Sequence, residues 1–196
     1  VDGRAELTGR VVGLIGCGHM GRRLLDFLAP FRVKILVHDP YVPREIADIY
    51  DLTLTSLENV MSIPEVVVCL APLTPRTKGM VGSDEIKLLR PGSVFVNVSR
   101  GAVVDSDSLV ERLKKKDIVA CVDAFYPEPI PVDSPIRDLP NVFATPHLAG
   151  ATPAVRNRYF ALMVDELERH IAGHETRYDL TERTMANRRG EIAPSS

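Results

Sequence analysis

The stretch Val11-Val12-Gly13-Leu14-Ile15-Gly16-Cys17-Gly18-His19-Met20-Gly21 decides the fold. Val11 to Ile15 is β-branched, carries no charge and closes on glycine, which is the signature of a strand buried on both faces. At His19 the period changes to that of a helix, with Met20, Leu24, Phe27, Leu28 and Phe31 predicted on the buried face. Three glycines span the junction. Gly16 permits a tight turn, Gly18 lets a pyrophosphate approach the backbone, and Gly21 packs helix against strand. The phosphates would then rest on amides at the N-terminus of a helix. Alone this pattern is weak. It gains weight from Asp39, which follows the next apolar run and lies 23 positions after Gly16. A carboxylate there can accept hydrogen bonds from an adenosine ribose and would repel a 2′-phosphate, so the expected cofactor is NAD. The plainer reading of Asp39-Pro40 is a turn.

Outward from that junction the alternation continues. Strands are expected at Val33–His38, near Leu52, at Glu65–Leu70, Ser93–Val98, Ile118–Val122 and Asn141–Thr145. Helices are expected around Ser56–Ser62, from a Ser83 cap through Leu89, and after an Asp105 cap. Lys114, Lys115 and Lys116 fall at the end of that last helix, where cations are favoured. Thr152-Pro153 opens a long helix whose buried stripe is Val155, Tyr159, Leu162, Met163, Leu167 and Ile171, with Gly173 as its stop. Between Phe125 and Pro140 lies a proline-dense, partly apolar loop, expected to be packed and rigid. Strand–helix alternation predicts an α/β class, a Rossmann-type doubly wound parallel sheet. Residues 1–173 form that domain, and 174–196 are expected to be a polar tail that frays or returns toward a second domain.

Composition narrows the function. The chain has 196 residues, 45% of them apolar, and 24 basic against 26 acidic residues, a net charge of −2. That excludes a strongly basic nucleic-acid or membrane surface. The three cysteines, Cys17, Cys69 and Cys121, match no zinc or redox spacing and are expected buried and reduced. An odd count without a signal peptide points to a cytoplasmic compartment. No residue cluster suggests a metal.

In an open parallel sheet, ligands bind beyond the carboxyl ends of the strands. The unusual polar groups of the apolar regions all fall there. Arg100, Glu128 and His147 form the candidate catalytic trio. Reduction of a 2-keto acid needs an arginine to hold the carboxylate through two parallel bonds. It also needs an acid near neutrality to protonate the carbonyl oxygen, and a carboxylate to orient that acid. Taken singly, each has a plainer reading as a surface arginine, a loop charge or a capping histidine. His38, His170 and His174 lack convergent partners.

Five segments in fixed order resemble the D-isomer-specific 2-hydroxyacid dehydrogenases: Val12–Gly21, Leu70–Thr77, Phe95–Gly101, Asp123–Pro129 and Thr145–Thr152. The resemblance implies a two-domain enzyme that closes on NAD and a small D-2-hydroxy acid or 2-keto acid. It implies that Arg100 binds the substrate carboxylate, that His147 carries the proton with Glu128 as partner, and that Asp39 holds the ribose. It further implies cofactor contacts at Gly16, Gly18, His19, Met20, Gly21, Pro72, Thr77, Val98, Ser99, Arg100, Asp123, His147, Ala149 and Gly150. A homodimer formed through the cofactor domain is also implied. Leu70 departs from the family's frequent histidine, and Cys17 and His19-Met20 from its usual types. Family members place most of a substrate domain before this region, whereas only Val1–Thr8 precede the first strand here. Most of that domain is therefore expected to be absent. Formate-oxidising members carry glutamine where Glu128 stands, which ranks formate oxidation low. An NAD-binding regulatory module, or a truncated form without turnover, is the alternative.

Overall fold

The computed structural model describes residues 6–150 and 152–191. The expectations for residues 1–5 and 192–196, and the Ala151 position of the last family segment, lie outside the described residues.

Seven parallel strands form one sheet: β1 (Val11–Ile15), β2 (Lys34–His38), β3 (Leu52–Leu54), β4 (Val66–Cys69), β5 (Val94–Asn97), β6 (Val119–Val122) and β7 (Val142–Ala144). Their order is β3-β2-β1-β4-β5-β6-β7. The chain winds one way from β1 to β3, returns to β4 beside β1, and then winds the other way. The crevice at the point of reversal opens between the carboxyl ends of β1 and β4. Crossovers are α1 (His19–Leu28), α2 (Arg44–Tyr50), α3 (Leu57–Ser62), α4 (Ser83–Leu88) and α5 (Ser106–Lys114). Beyond the sheet come α6 (Pro153–Ile171) and α7 (Glu182–Arg189).

Side chains alternate between the two faces, and each face has its own core. Ile15, Val67, Phe95 and Ala120 pack with Val60 and Met61 of α3, Ile86 of α4, and Leu109 and Leu113 of α5. On the other face Val12, Leu14, Ile35 and Val37 pack with Leu25 and Leu28 of α1. That second core stops short. The registered rows Val66–Val94–Val119 and Val68–Val96–Cys121–Phe143 run across the same face. Val119 is 41% exposed and Phe143 66% exposed.

The helix surfaces depart from their periodicity. On α1 the buried face is Gly21, Leu25 and Leu28, whereas Met20 and Phe27 are about as exposed as side chains on an open surface. The cause is Gly21: the helix meets the glycine turn after β1 through a residue with no side chain, and an apolar pattern cannot register that contact. The stripe expected on α6 is not buried, because no residue of that helix is buried. Amphipathicity records that a helix suits an apolar partner but does not supply one. The cap of α4 is Gly82 rather than Ser83, with the Gly82 N–H donating to the Glu85 carboxylate at 2.9 Å. The polar tail holds a helix, α7, without an apolar stripe, and Arg76 Nε donates to the Gly190 carbonyl at 3.1 Å. Other expectations match: Asp105 caps α5 and Thr152 caps α6 through their side chains. Cys17 and Cys69 are buried, Cys121 is half-buried, and all three are free. Among the described residues no helix is long and apolar enough to cross a membrane.

The two faces of the sheet differ in a way that mutation will detect. Phe95→Ala, at a fully buried ring, is expected to cost about 3–5 kcal/mol. Phe143→Ala is expected to cost less than about 0.5 kcal/mol, as surface changes do. Urea unfolding of the two variants measures the difference, and equal losses would contradict an open face.

Candidate active site

The rim is built from the glycine turn outward. Gly16 has φ +91°, and a Cβ there would lie 2.8 Å from the Ala71 backbone nitrogen. Conformation and space both demand glycine, and the turn presses on the chain leaving β4. A Cβ at Gly21 would stand 3.1 Å from the Gly16 carbonyl oxygen, so α1 folds closely back on the turn. At Gly18 a Cβ would meet nothing within 4 Å. Gly18 is also the N-cap of α1, which has no side-chain cap and no acidic residue in its first turn. First-turn N–H groups are thus left to an outside anion, next to open space, as a dinucleotide pyrophosphate requires. His19 and Met20 are exposed on this turn.

Asp39 follows β2 directly. One carboxylate oxygen accepts from the Cys17 N–H at 2.8 Å and the other from the Tyr41 N–H at 2.9 Å. The acid therefore ties the glycine turn to the end of the second strand, and its side chain is held in place before any ligand arrives. Burial pushes the Cys17 thiol up, and the Asp39 charge adds to that, against a smaller opposing effect of Arg22. This thiol stays protonated and serves as a small apolar filler.

Across the crevice, the segment after β4 is locked by its own threonines. The Thr74 N–H donates to the Thr77 hydroxyl at 2.8 Å, and the Thr77 N–H to the Thr74 hydroxyl at 3.2 Å. Thr77 also reaches the Pro72 carbonyl. At the end of β5 the buried Asn97 works in both directions. Its amide donates to the Ala124 carbonyl at 3.2 Å, while its oxygen accepts from Ser99 N–H at 3.2 Å and Ser99 Oγ at 3.1 Å. It joins the ends of β5 and β6 and keeps Ser99 buried, with Val98 half-exposed beside it. An asparagine inside an apolar strand was the available signal for this role, and the sequence reading passed over it.

His147 Nδ1 lies 2.7 Å from Glu128 Oε1, with both side chains partly exposed. With Nδ1 engaged by a carboxylate, Nε2 makes no hydrogen bond among the described residues. His147 has φ +54°, the left-handed region that non-glycine residues rarely occupy. Asp123, at the end of β6, accepts from the Thr145 hydroxyl at 2.5 Å and from the N–H groups of Leu148 at 2.7 Å and Ala149 at 3.0 Å. Burial acts to raise the Asp123 pKa, but the bonds from Thr145, Ala149 and Leu148 and the nearby His147 outweigh it and hold the carboxyl below its ordinary value. Ala149 and Gly150 continue exposed along the rim. A cleft of about 580 Å³ opens beside the pair, and Asp123, Glu128, Thr145 and His147 are in its wall.

Of the expected trio, then, two members meet. Arg100 is exposed, and its Nη1 donates to the Ser99 carbonyl at 2.8 Å. Among the described residues no hydrogen bond or ion pair joins it to Glu128 or His147. Among the same residues, no group of three or more His, Cys, Asp or Glu side chains is gathered as a metal would need.

Comparison with known proteins places this geometry. Residues 2–149 match the family model described as D-isomer specific 2-hydroxyacid dehydrogenase, NAD binding domain. The mitochondrial formate dehydrogenase of Solanum tuberosum is 34% identical over 195 residues, 96% of this chain and 49% of that protein. Glyoxylate/hydroxypyruvate reductase B of Pectobacterium atrosepticum is 32% identical over 166 residues, 84% of this chain and 52% of that protein. The crystal structure of NAD-dependent formate dehydrogenase from Staphylococcus aureus in complex with NAD superposes with a TM-score of 0.74 at 30% identity, covering 88% of this chain and 51% of that one. The chain spans about half the length of the curated relatives it matches.

The glycines separate folding from binding. Gly18→Ala, at φ −71° with open space around it, is expected to cost no more than about 1 kcal/mol, the difference between glycine and alanine at an N-cap. It should still weaken NAD measurably. Gly16→Ala is expected to cost about 1–3 kcal/mol of stability, since it adds both strain and a clash. Thermal unfolding and calorimetric titration of both variants check this, and a Gly18→Ala protein that binds NAD like the parent would contradict the cradle.

Proposed function

The chain belongs to the D-isomer specific 2-hydroxyacid dehydrogenases as an NAD-binding domain, and from that premise we propose that the whole protein transfers hydride between NAD(H) and a small D-2-hydroxy acid or 2-keto acid. The observation that carries the reading is the 2.7 Å approach of His147 to Glu128 on the rim that also holds the glycine turn.

When bound, the nicotinamide supplies or accepts the hydride. The remaining requirements fall to side chains. In the reducing direction His147 would give the proton on Nε2 to the carbonyl oxygen as carbon gains hydride. Glu128 would stabilise the imidazolium beforehand and fix the ring orientation. In the oxidising direction the same nitrogen would accept the hydroxyl proton. Arg100 would leave the Ser99 carbonyl and hold the substrate carboxylate through two parallel bonds. Asp39 would accept from the adenosine ribose hydroxyls.

An acid beside the histidine favours this chemistry over formate oxidation. Converting formate to carbon dioxide releases hydride and no proton, so it needs no proton carrier. Interconverting an alcohol and a ketone needs one in each direction.

A second reading concerns the chain taken alone: it binds the cofactor without turnover. The folded-back Arg100 supports it. The whole protein is proposed to be a homodimer, a reading supported by the exposed apolar side chains of Val119 on β6 and Phe143 on β7. The three free cysteines suit the reducing cytoplasm.

Kinetics of the whole protein test the roles. His147→Ala is expected to lower kcat for 2-keto acid reduction about 10²–10⁴-fold, the usual weight of general acid–base catalysis. Arg100→Ala should lower kcat/KM about 100-fold, the loss of two charge-assisted bonds. Glu128→Gln should lower keto-acid turnover while creating no deficit toward formate. Unchanged turnover in both His147→Ala and Arg100→Ala would contradict the assignment.

A further inference from the structure

We infer that Asp123 is the positioning residue of the site: its carboxylate clamps the main chain of the Thr145–Ala149 turn and so aims the His147 ring at Glu128. The functional consequence rests on the proposed role of His147, but the clamp itself is a matter of geometry.

Asp123 is well placed to act as an anchor. Its N–H donates to the Asn97 carbonyl at 2.9 Å, so its backbone is fixed to the middle of the sheet. Its side chain is buried, at 8% exposure. From there one carboxylate oxygen takes the Thr145 hydroxyl and the Leu148 N–H, and the other takes the Ala149 N–H. The donors lie on both sides of His147 in the chain. The residue between them is the one at φ +54°. A left-handed non-glycine residue persists only where its surroundings over-determine it. The His147 N–H donates to the Thr145 carbonyl at 3.0 Å, which closes the turn but anchors it to nothing outside. The Thr145 N–H donates to the Val122 carbonyl at 2.9 Å and fixes the start of the turn to β6, and Asp123 anchors the part beyond His147. Loss of the clamp would let residue 147 relax toward a right-handed conformation, swinging the ring off Glu128.

The arithmetic of acceptors also bears on the role. An ionised carboxylate has about four lone-pair sites. Three are already taken, so at most one remains for a cofactor hydroxyl or amide. The acid serves the turn first. Its carboxyl titrates below the ordinary range, consistent with three donors aimed at the charged form.

Asp123→Asn is the direct probe. A carboxamide keeps one acceptor oxygen and turns an N–H against a backbone N–H, so at least one main-chain bond is lost. Thr145→Val removes only the hydroxyl and leaves both main-chain bonds. Amide exchange at Leu148 and Ala149 and the ¹⁵N shifts of the His147 ring are measured on the parent and both variants, with an NAD titration on each. In Asp123→Asn, exchange at both amides is expected to rise about tenfold or more, the weight of one charge-assisted bond. The ring should also lose the signature of an engaged Nδ1. Thr145→Val should show the same changes to a smaller degree. Unchanged exchange and ring spectra in Asp123→Asn would overturn the clamp. Weakened NAD with both unchanged would do so as well, because Asp123 would then act on the cofactor. Should Asp123→Asn fail to fold, the parent decides: Leu148 and Ala149 amides protected about tenfold or more over an unbonded amide support the clamp, and unprotected amides overturn it. Faster exchange and a released ring, in a whole protein that never turns over keto acids, would uphold the clamp and refute only the reaction.

Discussion

The structure depends on one tight turn. At Gly16 the chain leaves β1 with φ +91° and passes so close to the start of the Ala71 segment that no side chain fits. That contact sets the direction of α1, whose uncapped N-terminus then faces the crevice where the strand order reverses. Gly21 brings the helix down onto the turn, and Asp39 reaches across from β2 to hold the Cys17 N–H. Parallel pairing does the rest. Because every strand runs the same way, every loop that leaves a carboxyl end arrives on the same rim.

The rim has an inner layer of buried polar groups. Asn97 ties the end of β5 to the end of β6, and Asp123 ties β6 to the turn beyond β7. Through these two buried polar groups the position of His147 is referred back to the sheet. Both are satisfied by several partners, as buried polar groups must be if they are to stabilise rather than cost. The one strained residue of the turn sits where the proton is proposed to move, a distribution of strain common at working sites.

Much of this was legible in the residues and some was not, for reasons that differ. The strands declare themselves because β-branched, uncharged runs such as Val66–Cys69 have few other uses. Asp39 was legible from its spacing to Gly16, since the distance from a glycine turn to the end of the next strand is set by one helix. Glu128 and His147 could be paired because both follow adjacent strands. The facing side of α1 was not legible, since a glycine contact leaves no apolar mark, and the fate of the α6 stripe was not, since its partner is not written in the helix. Asn97 and Thr145 escaped because side-chain bonds to neighbouring loops have no period. The direction of the Arg100 side chain escaped for a related reason: a long exposed guanidinium takes whichever carbonyl is near, here that of Ser99.

The central claim is that a rim organised by Gly16 and guarded by Asp39 binds NAD. Calorimetric titration of the chain with NAD and, separately, with NADP tests it most directly. The account predicts saturable binding of NAD and weaker binding of NADP, whose 2′-phosphate would meet the Asp39 carboxylate. Tighter binding of NADP, or no binding of either, would contradict it.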